Sequence, residues 1–211
     1  MPKIEVIPAI NAESFEEVKN KIKLVEPYTK WVHLDVADGT FTPNTLWHEP
    51  SDLLDLETDA FIEVHLMMAD MDGRFSNWIL PNVKRIIFHA EAAHDPEFVI
   101  GKIKESGKEA GIAILPQTRA EKGLLYCHKA DLVQTLAVFP GKAGQEFHPE
   151  IVEKIKHIRE KSKDCIIEVD GGINLETGKE CVRSGANILV SANYIFNSSS
   201  IEEAINNLKN L

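Results

Sequence analysis

Apolar residues gather along this chain in short runs, and stretches of helical periodicity separate one run from the next. The runs Ile4–Ile7, Trp31–Asp35, Phe61–His65, Arg85–His89, Ala110–Leu115, Leu132–Val138, Ile166–Asp170 and Ile188–Ser191 are rich in Val, Ile or Leu and read as eight strands. Between them lie helix signals. Ser14-Phe-Glu-Glu17 reads as a capping box opening a helix to about Glu26, and Thr118-Arg-Ala-Glu121 as a second box. Asp95-Pro96 supplies an N-cap followed by proline in the first helical position, with Gly107 placed to end that helix. Ile151, Ile155 and Ile158 share one helical face after the breaker pair His148-Pro149, and Ser199-Ser-Ile-Glu202 starts the last helix. Strands alternating with helices predict a parallel sheet, and eight such units are the number that closes a (β/α)8 barrel. An open doubly wound sheet is the alternative, weakened because no strand is followed by a GxGxxG loop.

The chain has 211 residues, which fits one barrel domain over 1–211; no linker or low-complexity segment interrupts it. Hydrophobic residues make up 44% and charged residues 27%, enough for a large core and a well-solvated surface. The net charge of -10 disfavours nucleic acid and anionic membranes as partners. No apolar run approaches the roughly 18 residues that span a bilayer, and the first residues carry no leader-like pattern. Cys127, Cys165 and Cys181 are odd in number and irregularly spaced, so reduced thiols and a cytoplasmic location are expected.

Candidate chemistry sits at strand ends, where a barrel carries its active site. Side chains alternate across a strand, so His33 and Asp35 face the same way at the end of the second. His65 ends the third strand, and Asp170 ends the seventh before Gly171-Gly172. Two imidazoles and two carboxylates suit a borderline divalent ion such as zinc, iron, cobalt or manganese, with coordination positions open for a substrate. Taken singly, a strand-end histidine is more often a packed residue and an aspartate a helix cap; the grouping is what carries weight. His48, His89, His94, His128, His148 and His157 show no comparable grouping, and His89 is set apart only because it also ends a strand. Gly141-Lys-Ala-Gly144, Gly171-Gly172 and Ser191-Ala-Asn-Tyr follow the last three strands, where barrels frequently bind phosphate. Glycine there is also ordinary turn chemistry.

Together, His33-Leu-Asp-Val-Ala-Asp-Gly39 with Pro43-Asn44, Glu63-Val-His-Leu-Met67, Pro140-Gly-Lys-Ala-Gly-Gln145 and Glu168-Val-Asp-Gly-Gly-Ile-Asn174 resemble the ribulose-phosphate 3-epimerase family, in order over nearly the whole chain. The resemblance implies a (β/α)8 barrel holding one divalent metal, often zinc, with iron, manganese or cobalt as alternatives. It implies interconversion of D-ribulose 5-phosphate and D-xylulose 5-phosphate, a small sugar-phosphate partner, and assembly as a homo-oligomer, often a dimer or hexamer. It places the metal ligands on His33, Asp35, His65 and Asp170, and the acid/base pair on Asp35 and Asp170. Substrate and phosphate contacts fall on Met67, Gly141, Lys142, Ala143, Gly144, Gly171, Gly172, Ala192 and Asn193.

The chain departs from the resembled pattern. Where the family usually reads Pro-Ser-Ile-Leu-Ser, this sequence has Pro8-Ala-Ile-Asn-Ala12, so Ala9 replaces a serine. Ala37 and Leu136 replace methionines, Lys142-Ala143 replace Phe-Gly, and Ala192-Asn193 replace Gly-Ser. These changes leave two further readings open: an epimerase of another ketose phosphate, such as allulose 6-phosphate, or a metal-binding barrel without turnover.

Overall fold

The computed structural model of the protein describes residues 4–140 and 146–211. Eight parallel strands close into a barrel in chain order: β1 (Glu5–Ile10), β2 (Trp31–Ala37), β3 (Phe61–Met67), β4 (Val83–His89), β5 (Glu109–Ile114), β6 (Leu132–Leu136), β7 (Ile167–Asp170) and β8 (Ile188–Ser191). The last strand returns to the first, with Val6 beside Leu189 and Pro8 beside Ser191. The open doubly wound sheet is thereby excluded.

The predicted strands all form, but their ends differ: β4 starts earlier, at Val83, β6 stops at Leu136 short of the predicted Val138, and three strands run on at the other end. β1, β2 and β3 extend toward the barrel mouth to Ile10, Ala37 and Met67. Nearly every position along them is buried, so no change of polarity marks where pairing stops.

Around the barrel run α1 (Phe15–Val25), α2 (Met71–Arg74), α3 (Pro96–Glu105), α4 (Ala120–Leu124), α5 (Glu150–Lys161), α6 (Leu175–Ser184), α7 (Asn193–Phe196) and α8 (Ile201–Lys209). Between β2 and β3 the place of a helix is taken by a 3-10 turn at Pro50–Asp55. Ser14 caps α1 by accepting from the Glu17 amide, Asp95 caps α3 through Phe98, and Ile151, Ile155 and Ile158 are the buried stripe of α5. The last helix is capped by Ser200, which accepts from Glu203, one position beyond the sequence expectation.

The second predicted box does not form. Arg119, without a side-chain cap bond, precedes α4, and the Thr118 hydroxyl donates to Glu91 instead. Glu91 is a stronger acceptor than a neutral cap partner and also takes the Leu115 amide at 3.1 Å.

The main core lies between the sheet and the helices, where Val18, Ile22, Leu34, Leu66, Ile86, Ile155 and Leu208 pack together. Inside the barrel the filling is of two kinds. Ile7, Ala9, Ile87, Ala113, Leu132, Ile188 and Val190 form an apolar cluster. Beside it, Glu63, Arg85, Gln134 and Glu168 are buried and polar. Arg85 closes the lower end, its guanidinium 4.2 Å from the centre of the Trp31 ring and paired with Glu109.

Candidate active site at the mouth of the barrel

Strand alternation brings His33 and Asp35 inward on β2, and the register sets Asp35 beside His65 on β3. Asp170 arrives from β7, across the barrel interior. All four are buried, and one ligand atom from each lies within 4.8 Å of every other. His65 Nδ1 is 3.0 Å from Asp35 Oδ1 and 3.6 Å from Asp170 Oδ2. His33 Nε2 is 3.4 Å and 3.9 Å from the same two oxygens. The four residues singled out from the sequence therefore converge.

These residues fit a divalent cation on chemical grounds. His33 Nε2 is fully buried and has no hydrogen-bond partner, a costly arrangement for a polar atom unless something completes it. The opposite nitrogen, His33 Nδ1, hydrogen-bonds Glu63 Oε1 at 2.6 Å, so the carboxylate fixes the ring and leaves Nε2 facing Asp35 and Asp170. The site is thus a two-imidazole, two-carboxylate donor set with an open side.

Charge is unevenly divided among these groups. Burial opposes ionisation of Asp35, but the His33 and His65 rings that face it hold its carboxyl far below the usual range. Asp170 goes the other way: burial and the Asp35 charge raise it to about 6. Burial alone would lower His33, yet Asp35 and Glu63 win and raise it well above 6.5. Deeper in the barrel, burial and Glu63 push Glu168 far up, while Glu63, held by His33 and Arg85, stays low.

Five residues outside the expected set take part. His89 on β4 meets His65, Nε2 to Nε2, at 2.9 Å, and its Nδ1 faces Glu91 Oε2 at 3.6 Å. Burial lowers its pKa to about 4, so it stays neutral beside the His65 ring, whose other nitrogen, Nδ1, faces Asp35 Oδ1 at 3.0 Å. Glu63 and Arg85 hold His33 from below. Glu168 packs beside them, accepting from Gln134 Nε2 at 3.1 Å. Asn11, just past β1, donates to Asp35 Oδ2 at 2.8 Å. The usable signal was charged and amide residues at inward positions of strands that are otherwise apolar.

Above the cluster opens a cavity of about 560 Å³. Asp35, Asp170, Met67, Gly171, Gly172, Ala192 and Asn193 line it, as do Ala9 and Leu136. Ala37 is buried and is not among the lining residues. Gly141, Lys142, Ala143 and Gly144 lie outside the described residues. Gly171 and Gly172 have φ of +106° and +66°, and a Cβ on Gly172 would come within 3.0 Å of the Phe147 backbone. Only glycine fits this turn without strain.

Fold and site define a (β/α)8 barrel with a buried, convergent His/Asp donor cluster under a cavity at its mouth. Residues 5–196 match the sequence model described as the Ribulose-phosphate 3 epimerase family, and the chain belongs to that family of carbohydrate epimerases. It is 37% identical to the ribulose-phosphate 3-epimerase of Chlamydia muridarum over 81% of this chain and 78% of that one. With the ribulose-phosphate 3-epimerase of Bacillus subtilis it shares 33% identity over 98% of both chains. Among solved structures, KGPDC from Streptococcus mutans superposes with a TM-score of 0.73 over 98% of this chain and 96% of that one. At 12% identity, that likeness concerns the fold. Among the described residues no helix is long and apolar enough to cross a membrane.

Proposed function

We propose that the protein, acting as one barrel domain over residues 1–211, epimerises a ketose phosphate at C3, with D-ribulose 5-phosphate and D-xylulose 5-phosphate as the exchanged pair. The observation that carries this reading is the convergence of Asp35 and Asp170 from opposite sides of the barrel, both lining the cavity beside His33 and His65. Epimerisation beside a ketone removes a proton from one face of the carbon and returns one to the other. Two carboxylates reaching one cavity from opposite sides can supply a base and an acid. One of Asp35 and Asp170 acts as base while the other acts as acid, and the reverse reaction exchanges the roles.

His33, Asp35, His65 and Asp170 would hold one divalent metal, with zinc the first choice and iron, manganese or cobalt the alternatives. When bound, such an ion polarises the ketone and opposes the negative charge of the enediolate. The chain's own part is to orient the donors through Glu63 and His89 and to keep bulk water from the buried cluster. The phosphate is placed at Gly171-Gly172 and Ala192-Asn193, with Gly141, Lys142, Ala143 and Gly144 completing the binding loop and Met67 on the sugar side.

A coupled assay on ribulose 5-phosphate with added zinc, manganese, iron or cobalt tests the reading, with solvent deuterium exchange at C3 as the more sensitive measure. Asp35→Asn and Asp170→Asn are each expected to lower turnover about 100- to 10,000-fold, the range that general acid–base groups contribute. Absence of both turnover and exchange with every metal would overturn the proposal. Another ketose phosphate is favoured as the alternative substrate by Ala9, Leu136, Ala192 and Asn193, all of which line the cavity. A substrate panel that includes allulose 6-phosphate, ranked by kcat/KM, decides between them.

A further inference from the structure

Asn11 lies directly after β1, where the β1–β2 register pairs Ala9 with His33 and Ile10 with Leu34. Two positions on from Ala9, it stands beside Asp35 on the same inward face. Both Ala9 and Asn11 line the cavity. We propose that Asn11 is a positioning residue for the reaction: its side-chain amide ties down Oδ2 of Asp35 and so sets the angle at which that carboxylate meets the substrate carbon. The inference rests on the epimerase reading given above.

The two oxygens of Asp35 have different neighbours. Oδ1 faces His65 Nδ1 at 3.0 Å and His33 Nε2 at 3.4 Å, on the side of the donor cluster. Oδ2 accepts from Asn11 Nδ2 at 2.8 Å. An ionised carboxylate can only accept, so this contact also fixes which end of the Asn11 amide faces it. A carboxylate anchored at one oxygen alone turns freely about its Cβ–Cγ bond. Anchored at both, it presents its lone pairs in one direction, and a charge-assisted hydrogen bond is strong enough to hold it there.

Asn11 is itself held by parts of the fold that take no part in the chemistry. Lys21 Nζ, on α1, donates to its backbone carbonyl at 2.6 Å. Lys21 is fixed in turn by Glu17 at 2.7 Å and lies 5.7 Å from the centre of the Phe196 ring at the end of α7. The methyl group of Ala9 offers no donor at the level of His33. In this chain the donor stands one inward position nearer the mouth, against the reacting carboxylate. A leucine at position 11, as in the pattern this segment resembles, could not make that bond.

The test compares wild type, Asn11→Leu and the double variant Ala9→Ser/Asn11→Leu. Each is measured for kcat and KM on ribulose 5-phosphate at saturating zinc, for zinc affinity by chelator competition, and for melting midpoint. Asn11→Leu is expected to lower kcat about 10- to 100-fold, as for loss of a hydrogen bond to a charged group, with KM changed less than about 3-fold. Its zinc affinity is expected to fall about 10-fold, because Oδ1 loses its fixed angle. The double variant, whose added hydroxyl stands at the level of His33 and not of Asp35, is expected to keep the lowered kcat of Asn11→Leu, and recovery of wild-type kcat there would overturn the proposal. A kcat for Asn11→Leu within about 2-fold of wild type overturns the proposal, as does a defect confined to KM with a lowered melting midpoint. A wild-type protein inactive on every ketose phosphate and metal instead overturns the epimerase reading, and this inference with it.

Discussion

Each histidine of the cluster exposes a different nitrogen, and in each case the residue on the far side of the ring decides which. His33 offers Nε2 because Glu63 holds Nδ1; His65 offers Nδ1 because Nε2 meets His89. In the neutral form that a metal ligand takes, an imidazole has one proton, so the partner that accepts it sets where the lone pair points. Replacing Glu63 with glutamine keeps the volume but allows an N–H to face His33 Nδ1 and removes the carboxylate that pairs with Arg85. Zinc affinity in Glu63→Gln is expected to fall about 10- to 100-fold, read by chelator competition. An affinity equal to wild type would show that the ring needs no such guide. Residue types at inward strand positions were enough to read His33, Asp35, His65 and Asp170 from the sequence. They did not single out Asn11 or Glu63, and marked His89 only as ending a strand, because a lone polar side chain has no local mark of what it will face across a barrel.

At the scale of elements, legibility followed locality. Strand number and order were readable because each strand is a dense apolar run bounded by turn residues, and eight of them have one natural closure. Strand ends were not, since burial continues through Ile10, Ala37 and Met67 without a change of polarity. Capping was readable where the partner is local, as at Ser14 and Asp95, and failed at Thr118, whose hydroxyl is captured by Glu91 from a sequence-distant loop. Asn174 is the complementary case: it forms a full capping box on α6, with its side chain accepting from Glu176 and Thr177 while the Thr177 hydroxyl returns to its backbone. Asn174→Ala is expected to cost about 1 kcal/mol in urea unfolding with an unchanged slope. The turn just before α6 is less forgiving. Gly172→Ala must accept a left-handed backbone and move the Phe147 main chain, at an expected cost of about 1–3 kcal/mol together with weaker substrate binding. A variant with wild-type stability and KM would mean that the turn relaxes freely.

At the scale of the whole molecule, the chain carries a net charge of -10 and yet buries a further set of titratable groups inside its barrel, so its acid response is set by the interior. His89 is the clearest contributor. Burial lowers it from 6.5 to about 4, so above pH 6.5 folded and unfolded chains are both neutral there and nothing changes. Below 6.5 the unfolded chain takes up a proton that the folded chain refuses until about pH 4, and stability falls across that window by as much as about 3 kcal/mol. Glu91 extends the loss: although burial works against ionisation, the facing His89 ring and the Thr118 hydroxyl hold it at about 2 against an ordinary 4.5, so stability falls further as pH drops between those values. Asp170 acts in the opposite sense in the metal-free protein. Burial raises it to about 6 against 3.8, so the folded chain keeps a proton that the unfolded chain loses, and stability rises as pH falls through that range. The wild-type curve is therefore a difference of opposed terms, and one substitution separates them. His89→Gln retains an acceptor for His65 but cannot titrate. Measured by urea unfolding on metal-free protein, the stability difference between wild type and His89→Gln should shift by about 3 kcal/mol in the variant's favour between pH 7 and pH 4. Parallel curves for the two proteins would mean that His89 takes up a proton inside the fold, and that the imidazole behind His65 is not the fixed neutral acceptor its burial implies.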